Sequence, residues 1–196
     1  TNLWGIPKYL PNRSLLKKTI NGVQLGLITY SFRALKDQSA EATLQYILDC
    51  GVNSIELMGE TAESFIGRPK NKINKRKYYS LSRKKRNNSL SKDEEKELGE
   101  LKKQQDSYDK EVLTWKKTRS ISRFSDLRKM YNSAGVEIYA FKPNYLLRKG
   151  NSDSDINYAM QAGKLLGASH VTIELPEDNN HSLKLGKLAK RNGIKV

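Results

Sequence analysis

Apolar and polar positions along the chain repeat in one order: an amphipathic helix, a glycine, and then a short apolar strand. The first helix shows the pattern clearly, because its apolar residues fall on one helical face: Ala40, Leu44, Ile47 and Leu48. Ser39 can cap this helix, and Gly51 lies just past its end. The same order returns before Gly135, Gly167 and Gly193, and the three helices that end there are predicted to begin near Ser122, Ser152 and Ser182. The chain is therefore predicted to be built from repeated strand–helix units.

The predicted strands begin at about Val23, Val52, Val136, Ser169 and Ile194. Consecutive strand–helix units form a parallel sheet with right-handed crossovers, which either closes as a barrel or stays open. No G-x-G-x-x-G motif follows the first strand, which argues against a dinucleotide-binding open sheet. The last two intervals between the marker glycines, 32 and 26 residues, fit one such unit each.

The interval from Gly51 to Gly135 is 84 residues long and so carries an insertion, placed at about residues 62–121. The insertion follows the second strand, and such loops lie at the ligand-binding edge of parallel sheets. Residues 64–90 are expected to be flexible, whereas the capping box Ser91–Glu94 begins a long amphipathic helix at about Lys92–Lys117. Residues 1–21 are predicted to be an irregular arm, and residues 22–196 one α/β domain.

The net charge of +15 is concentrated in the insertion, since residues 64–123 hold nineteen Lys and Arg but eight Asp and Glu. Two interpretations remain open: a phosphate- or nucleic-acid-binding surface in which Tyr78 and Tyr79 stack on bases, or a mobile segment that keeps the protein soluble. The second is favoured, so a nucleic-acid partner is not the leading expectation. The apolar stripe of the long helix is likewise expected to pack on its own domain, with docking of a partner or a homo-oligomer as the alternative.

Several classes of site are excluded by the residues present. The single cysteine, Cys50, excludes an internal disulfide and a cysteine-based zinc cluster. His170 and His181 lack partners at ligand spacing, and no G-x-S-x-G motif occurs. No apolar run reaches the length of a membrane span, so no membrane partner is expected. Because the chain begins at Thr1, a removed leader stays open, and both a cytoplasmic and an exported location are compatible with the sequence.

Polar side chains follow or end the first four predicted strands, and the carboxyl ends of parallel strands meet at one edge of a sheet. The candidate residues of a substrate pocket are Tyr30, Glu56, Lys142 and Glu174. Two carboxylates facing one pocket can do acid–base work or bind a divalent ion, which makes Glu174 a candidate metal ligand. The alternative is that each carboxylate pairs with a neighbouring cation such as Lys142. No catalytic residue is assigned.

The four strand segments together resemble one known superfamily: GLITYSFR at residues 26–33, GVNSIELMG at 51–59, AGVEIYAFKP at 134–143 and LGASHVTIE at 166–174. In this order they are similar to the first four strands of the xylose isomerase-like TIM barrels, which include sugar isomerases and epimerases. The resemblance covers about residues 23–59 and 122–196. It implies an eight-stranded (β/α) barrel of which about four and a half units are present, so the chain would be the N-terminal half.

The resemblance also implies a function. Members of this superfamily move protons on a sugar or polyol with the help of a divalent metal, Mn²⁺, Mg²⁺ or Zn²⁺, at the mouth of the barrel. The expected substrate is thus a small sugar or polyol, with or without a phosphate that the basic insertion would help to cap. The metal ligands are expected on later strands, beyond residue 196. A non-catalytic or nucleic-acid-binding relative that uses the basic insertion is the alternative.

Overall fold

A computed structural model describes residues 19, 21–175 and 178–196 of the chain. Nearly all of the predicted N-terminal arm lies outside these residues. The chain divides into two compact units. The first combines the chain up to Ile66 with Ser120–Val196, and the second is Gly67–Arg119.

The first unit contains a four-stranded parallel sheet, in the order β1-β2-β3-β4. The strands are β1 (Leu27–Ile28), β2 (Ser54–Met58), β3 (Glu137–Lys142) and β4 (His170–Val171). An isolated parallel bridge joins His170 to Lys195, so the chain pairs beside β4 where a fifth strand was predicted to begin. The strands lie side by side in the order in which they follow along the chain. A doubly wound sheet differs, because its strand order reverses at one point. The predicted α/β class with a parallel sheet is confirmed.

The described residues form seven α-helices: α1 (Ala40–Asp49), α2 (Gly59–Phe65), α3 (Lys75–Arg86), α4 (Lys92–Thr118), α5 (Arg123–Ser133), α6 (Asp153–Leu166) and α7 (Asn179–Asn192). The hydroxyls of Ser39 and Ser152 cap α1 and α6, as the sequence predicted. Gly167 and Gly193 follow α6 and α7 in the left-handed conformation, which a residue with a Cβ adopts only at a cost.

Two helix starts differ from the prediction. Ser122 precedes α5 but makes no capping hydrogen bond; its hydroxyl lies 2.9 Å from that of Ser120. Helix α7 begins at Asn179 rather than near Ser182, because the carboxylate of Asp178 accepts hydrogen bonds from the backbone N–H groups of its first turn. The prediction took Ser182 as the capping residue, but aspartate caps helices as well as serine does.

The first strand is also shorter than predicted. The chain leaves the sheet after Ile28 and forms a 3-10 turn at Thr29–Phe32, so Tyr30 lies in this turn and not on a strand. The buried hydroxyl of Thr29 accepts a hydrogen bond of 2.9 Å from the backbone N–H of Met58. This side chain replaces a strand partner for β2, which explains why the ladder stops there.

The core of the first unit lies between the sheet and its helices. Its largest fully buried side chains include Ile55, Leu57, Phe124, Tyr131 and Phe141. Gly163 lets α6 approach the sheet closely, because a Cβ there would lie 2.6 Å from Cγ1 of Val171. Right-handed crossovers between sequential strands place the connecting helices on one face of the sheet, so these helices do not cover the other face.

The second unit is a helical hairpin of α3 and α4, so the expectation that residues 64–90 are flexible is wrong for the part that forms α3. The hairpin closes on a small core of Ile73, Leu81, Leu98 and Leu101. The capping box of Ser91 and Glu94 at the start of α4 is present as predicted. Leu98 and Leu101 of the apolar stripe of α4 are therefore buried against α3, within the second unit.

Candidate functional site

The register of the strands separates two faces of the sheet. Leu57, Phe141 and Val171 face α6 and are almost fully buried. Side chains alternate between faces along a strand, so their neighbours point to the opposite side. We call this side the open face, and its residues are Ile28, Glu56, Met58, Ala140, Lys142, His170 and Thr172. Except for Ala140, these residues are only partly buried, which leaves them able to meet a ligand.

Glu56 lies in the middle of the open face. It pairs with Ile28 of β1 on one side and with Ala140 of β3 on the other. Its carboxylate accepts a hydrogen bond from the hydroxyl of Thr172, which follows β4. The small side chain of Ala140 leaves the space across β3 that this bond bridges. Glu56 is thus held by a neutral donor and keeps acceptor positions for another group.

Lys142 and Glu174 form an ion pair of 3.0 Å at the carboxyl-terminal edge of the open face. The hydrogen bond from Lys142 holds the pKa of the Glu174 carboxyl below its usual range. The backbone N–H of Glu174 and the charge of Arg148 lower this pKa further. Glu174 lies three residues beyond β4, because that strand ends at Val171 and not at Glu174 as predicted. The alternative weighed in the sequence, a carboxylate paired with Lys142, is what the structure shows for Glu174.

The ion pair is accessible, since 24% of the Lys142 side chain and 59% of the Glu174 side chain are exposed. Pairs at this exposure contribute about 0–1 kcal/mol to stability. A ligand hydroxyl or phosphate can therefore take the place of one partner at little cost. The pair therefore contributes little to the stability of the fold.

Tyr30 is not brought into this group. Its ring is 53% exposed, and the guanidinium carbon of Arg33 lies 4.5 Å from the ring centroid. Among the described residues, no hydrogen bond or ion pair joins Tyr30 to Glu56, Lys142 or Glu174. Glu56 and Lys142 thus lie on the open face, Glu174 is joined to its edge by Lys142, and Tyr30 lies in the turn that follows β1.

The sequence did not predict that Tyr139, Ser169 and His170 come together near the amino-terminal part of the open face. The register between β2 and β3 shifts after Ile55, so Tyr139 is an extra residue without a ladder partner. Its ring centroid lies 6.1 Å from that of His170, whose Nδ1 lies 2.7 Å from the Ser169 hydroxyl. A β-bulge depends on how two strands meet, and one strand alone gives no sign of it.

Glu63 of α2 was also missed. This carboxylate is 4% exposed, and the hydroxyl of Tyr158 donates a hydrogen bond of 3.2 Å to it. Helix α2 starts directly after β2 at Gly59, where a Cβ would lie 3.0 Å from the side chain of Asn144. Glu63 is buried by the packing of α2. The sequence does not show this, because a glutamate in a helix is usually exposed.

No group of three or more His, Cys, Asp or Glu that could hold a metal ion occurs among the described residues. Glu174 is engaged by the ammonium of Lys142, which a cation would have to displace. His181 is buried, with Nε2 2.7 Å from the carbonyl oxygen of Leu147, so it serves the loop before α6. The residues that the structure describes therefore do not fit a resident metal.

Comparison of the chain with known protein families, with characterised proteins and with solved structures finds no significant match. Within the part of the chain that the structure describes, no helix combines the length and the apolar character needed to cross a membrane.

Proposed function

We propose that the open face binds a sugar or polyol and that the protein is isomerase- or epimerase-like, moving a proton on this ligand. The observation that carries the proposal is the position of Glu56 and Lys142 on one face of the sheet, with Glu174 paired to Lys142 at its edge. Carboxylates and an ammonium in alternation match a molecule with several hydroxyls, each of which both donates and accepts hydrogen bonds. The proposal includes ligands with a phosphate, for which Lys142 would be the counter-charge.

The strand order supports a (β/α) barrel as the setting of this face. Sequential parallel strands with helices on one side curl with the other side inward, and pairing already continues to Lys195 beside β4. In such a barrel the open face would line the interior, and ligands would bind at the carboxyl-terminal ends of the strands. Lys142 and Glu174 lie at that end.

The residues present can supply two parts of a proton transfer. Glu56 is a carboxylate that can accept a proton from a carbon next to a carbonyl group. The Lys142 ammonium can stabilise the negative charge that develops on the carbonyl oxygen, as preorganised donors do in other sites. When the ligand binds, its oxygen takes the place of Glu174 on Lys142.

Binding is tested by titrating the protein with a panel of ketoses, aldoses, polyols and their phosphates by isothermal calorimetry. A hydrogen bond to a charged group contributes about 1.5–3 kcal/mol, so Lys142→Met is expected to weaken binding about 10- to 100-fold. Lys129→Met is the matched control, because Lys129 makes an exposed pair of 3.7 Å with Asp126 on α5. Equal affinity of Lys142→Met and wild type, or no binding of any compound, refutes the proposal.

Proton transfer is tested separately by following the exchange of carbon-bound hydrogen of the bound ligand in D₂O by NMR, with and without Mn²⁺ or Mg²⁺. Exchange that Glu56→Gln abolishes while the affinity is kept would support Glu56 as the base. Binding without exchange would restrict the protein to a binding role.

A further inference from the structure

The basic charge of the protein is concentrated on one short part of the second unit. Residues 67–91 contain ten Lys and Arg and no Asp or Glu. Helix α4, which follows, is nearly neutral, because acidic and basic residues alternate along it. The charge therefore belongs to α3 and to the loop that leads into it, and any anionic partner of this unit would be drawn there.

Helix α3 exists in spite of this charge because α4 supports it. Like charges four residues apart destabilise an isolated helix. Ion pairs of Lys77 with Glu97 and of Lys84 with Glu94 neutralise the side of α3 that faces α4. These pairs lower the pKa of Glu94 as well, chiefly through the hydrogen bond from Lys84. In the described part of the chain, no carboxylate pairs with the other cations of α3: Lys75, Arg76, Arg83, Lys85 and Arg86.

A groove of about 670 Å³ lies between α3 and α4. Four cations line it, and no carboxylate does: Arg83, Lys85, Arg86 and Lys102. Tyr78 and Tyr79 also line it. Tyr78 packs against the small core, and Tyr79 meets its ring edge-on at a centroid distance of 5.6 Å while remaining 66% exposed. The result is an exposed aromatic ring in a fixed position among unpaired cations.

We propose that this groove binds single-stranded nucleic acid. The cations match the phosphates of a polynucleotide, and the exposed ring of Tyr79 offers a stacking surface for a base. A base can reach the ring only when it is not already stacked in a duplex, which is why a single strand is preferred. The proposal is independent of the sugar site, because the groove lies wholly within the second unit.

The salt dependence gives a quantitative expectation. Four cations on the phosphates of a single strand predict a slope of about −2.8 in log affinity against log salt. Between 50 and 200 mM salt the affinity should therefore fall by about 50-fold. Replacing two of the four cations should reduce the slope by about 1.4.

The test uses the full chain and fluorescein-labelled 20-mers of dT and of U, with binding followed by fluorescence anisotropy at several salt concentrations. A 20-base-pair duplex and vesicles of phosphatidylserine are the competing partners. Arg83→Gln with Arg86→Gln is expected to lower affinity and slope. Lys187→Gln with Lys190→Gln is the control, since it removes the same charge from exposed positions of α7.

Tyr79→Ala separates stacking from charge. It should weaken binding about 5- to 150-fold while the salt slope stays the same, because no cation is lost. Circular dichroism of each variant establishes that the hairpin is intact. The proposal is overturned by any one of three results: duplex or vesicles bind as tightly as the single strands, the two double variants behave alike, or Tyr79→Ala binds as wild type does.

Discussion

Gly163 lies in the middle of α6, where the helix rests against the sheet. A Cβ at this position would lie 2.6 Å from Cγ1 of Val171, 3.0 Å from Cδ1 of Ile194 and 3.5 Å from Cδ1 of Phe141. Carbon atoms pack best at about 3.5–4.0 Å, so the methyl group requires a movement of roughly 1 Å. Val171 is 1% exposed and branched at Cβ, so it cannot turn aside and the helix must shift.

The expected effect of Gly163→Ala is the difference between two opposing terms. Alanine favours the helix over glycine by about 0.8–1 kcal/mol. Overpacking of a buried site costs about 1–3 kcal/mol. The overpacking term dominates, and we expect the free energy of unfolding to fall by about 1 kcal/mol.

Gly186→Ala in α7 is the matched control, because no atom lies within 4 Å of the Cβ position and the residue is exposed. Only the helix term applies, so the free energy of unfolding should rise by about 0.8–1 kcal/mol. Urea unfolding followed by far-UV circular dichroism measures both variants against wild type. If Gly163→Ala is as stable as Gly186→Ala, then the close approach of α6 to the sheet is not as described.

Two further predictions concern stability. Tyr131→Phe removes a buried hydrogen bond of 2.8 Å from the tyrosine hydroxyl to the carbonyl oxygen of Ala40 and should lower the free energy of unfolding by about 1 kcal/mol in the same urea assay; an unchanged value would show that this bond does not tie α5 to α1. The hydrogen bond and charge of Lys149, together with the backbone N–H groups of α7, lower the pKa of Asp178, so its stabilising effect is present at neutral pH and is lost as the pH falls below about 4 towards the lowered value. Asp178→Asn should therefore be less stable than wild type at pH 7, with the difference narrowing as the pH falls below about 4, and a difference that is constant with pH would contradict this assignment.

Much of the fold could be predicted from local patterns. The caps of α1, α4 and α6 depend on a few neighbouring residues and are found where Ser39, Ser91 and Ser152 placed them. The parallel sheet follows from the repeat of strand and helix. The predicted start of α7 was wrong because both Asp178 and Ser182 can cap a helix. The sequence does not show which of the two the tertiary contacts favour.

The candidate site was predicted in part. Glu56 and Lys142 lie on the open face, and Glu174 pairs with Lys142 at its edge, because parallel strands bring their carboxyl ends together. Tyr30 was separated from them because the chain turns after Ile28, a turn stabilised by the contact of Thr29 with β2. That contact joins residues 29 positions apart, and no pattern within the strand reveals it.

The basic insertion shows most clearly what only the tertiary structure decided. Its composition alone favoured a mobile segment, since a helix with so many like charges is unstable in isolation. The next helix orders the segment through the small core of Ile73, Leu81, Leu98 and Leu101, and its acidic residues reduce the repulsion by pairing with Lys77 and Lys84. The sequence by itself determined the repeat, the parallel sheet and the location of the charge. The tertiary structure decided which charges are neutralised and which remain exposed, because pairing depends on distance in space and not on spacing along the chain.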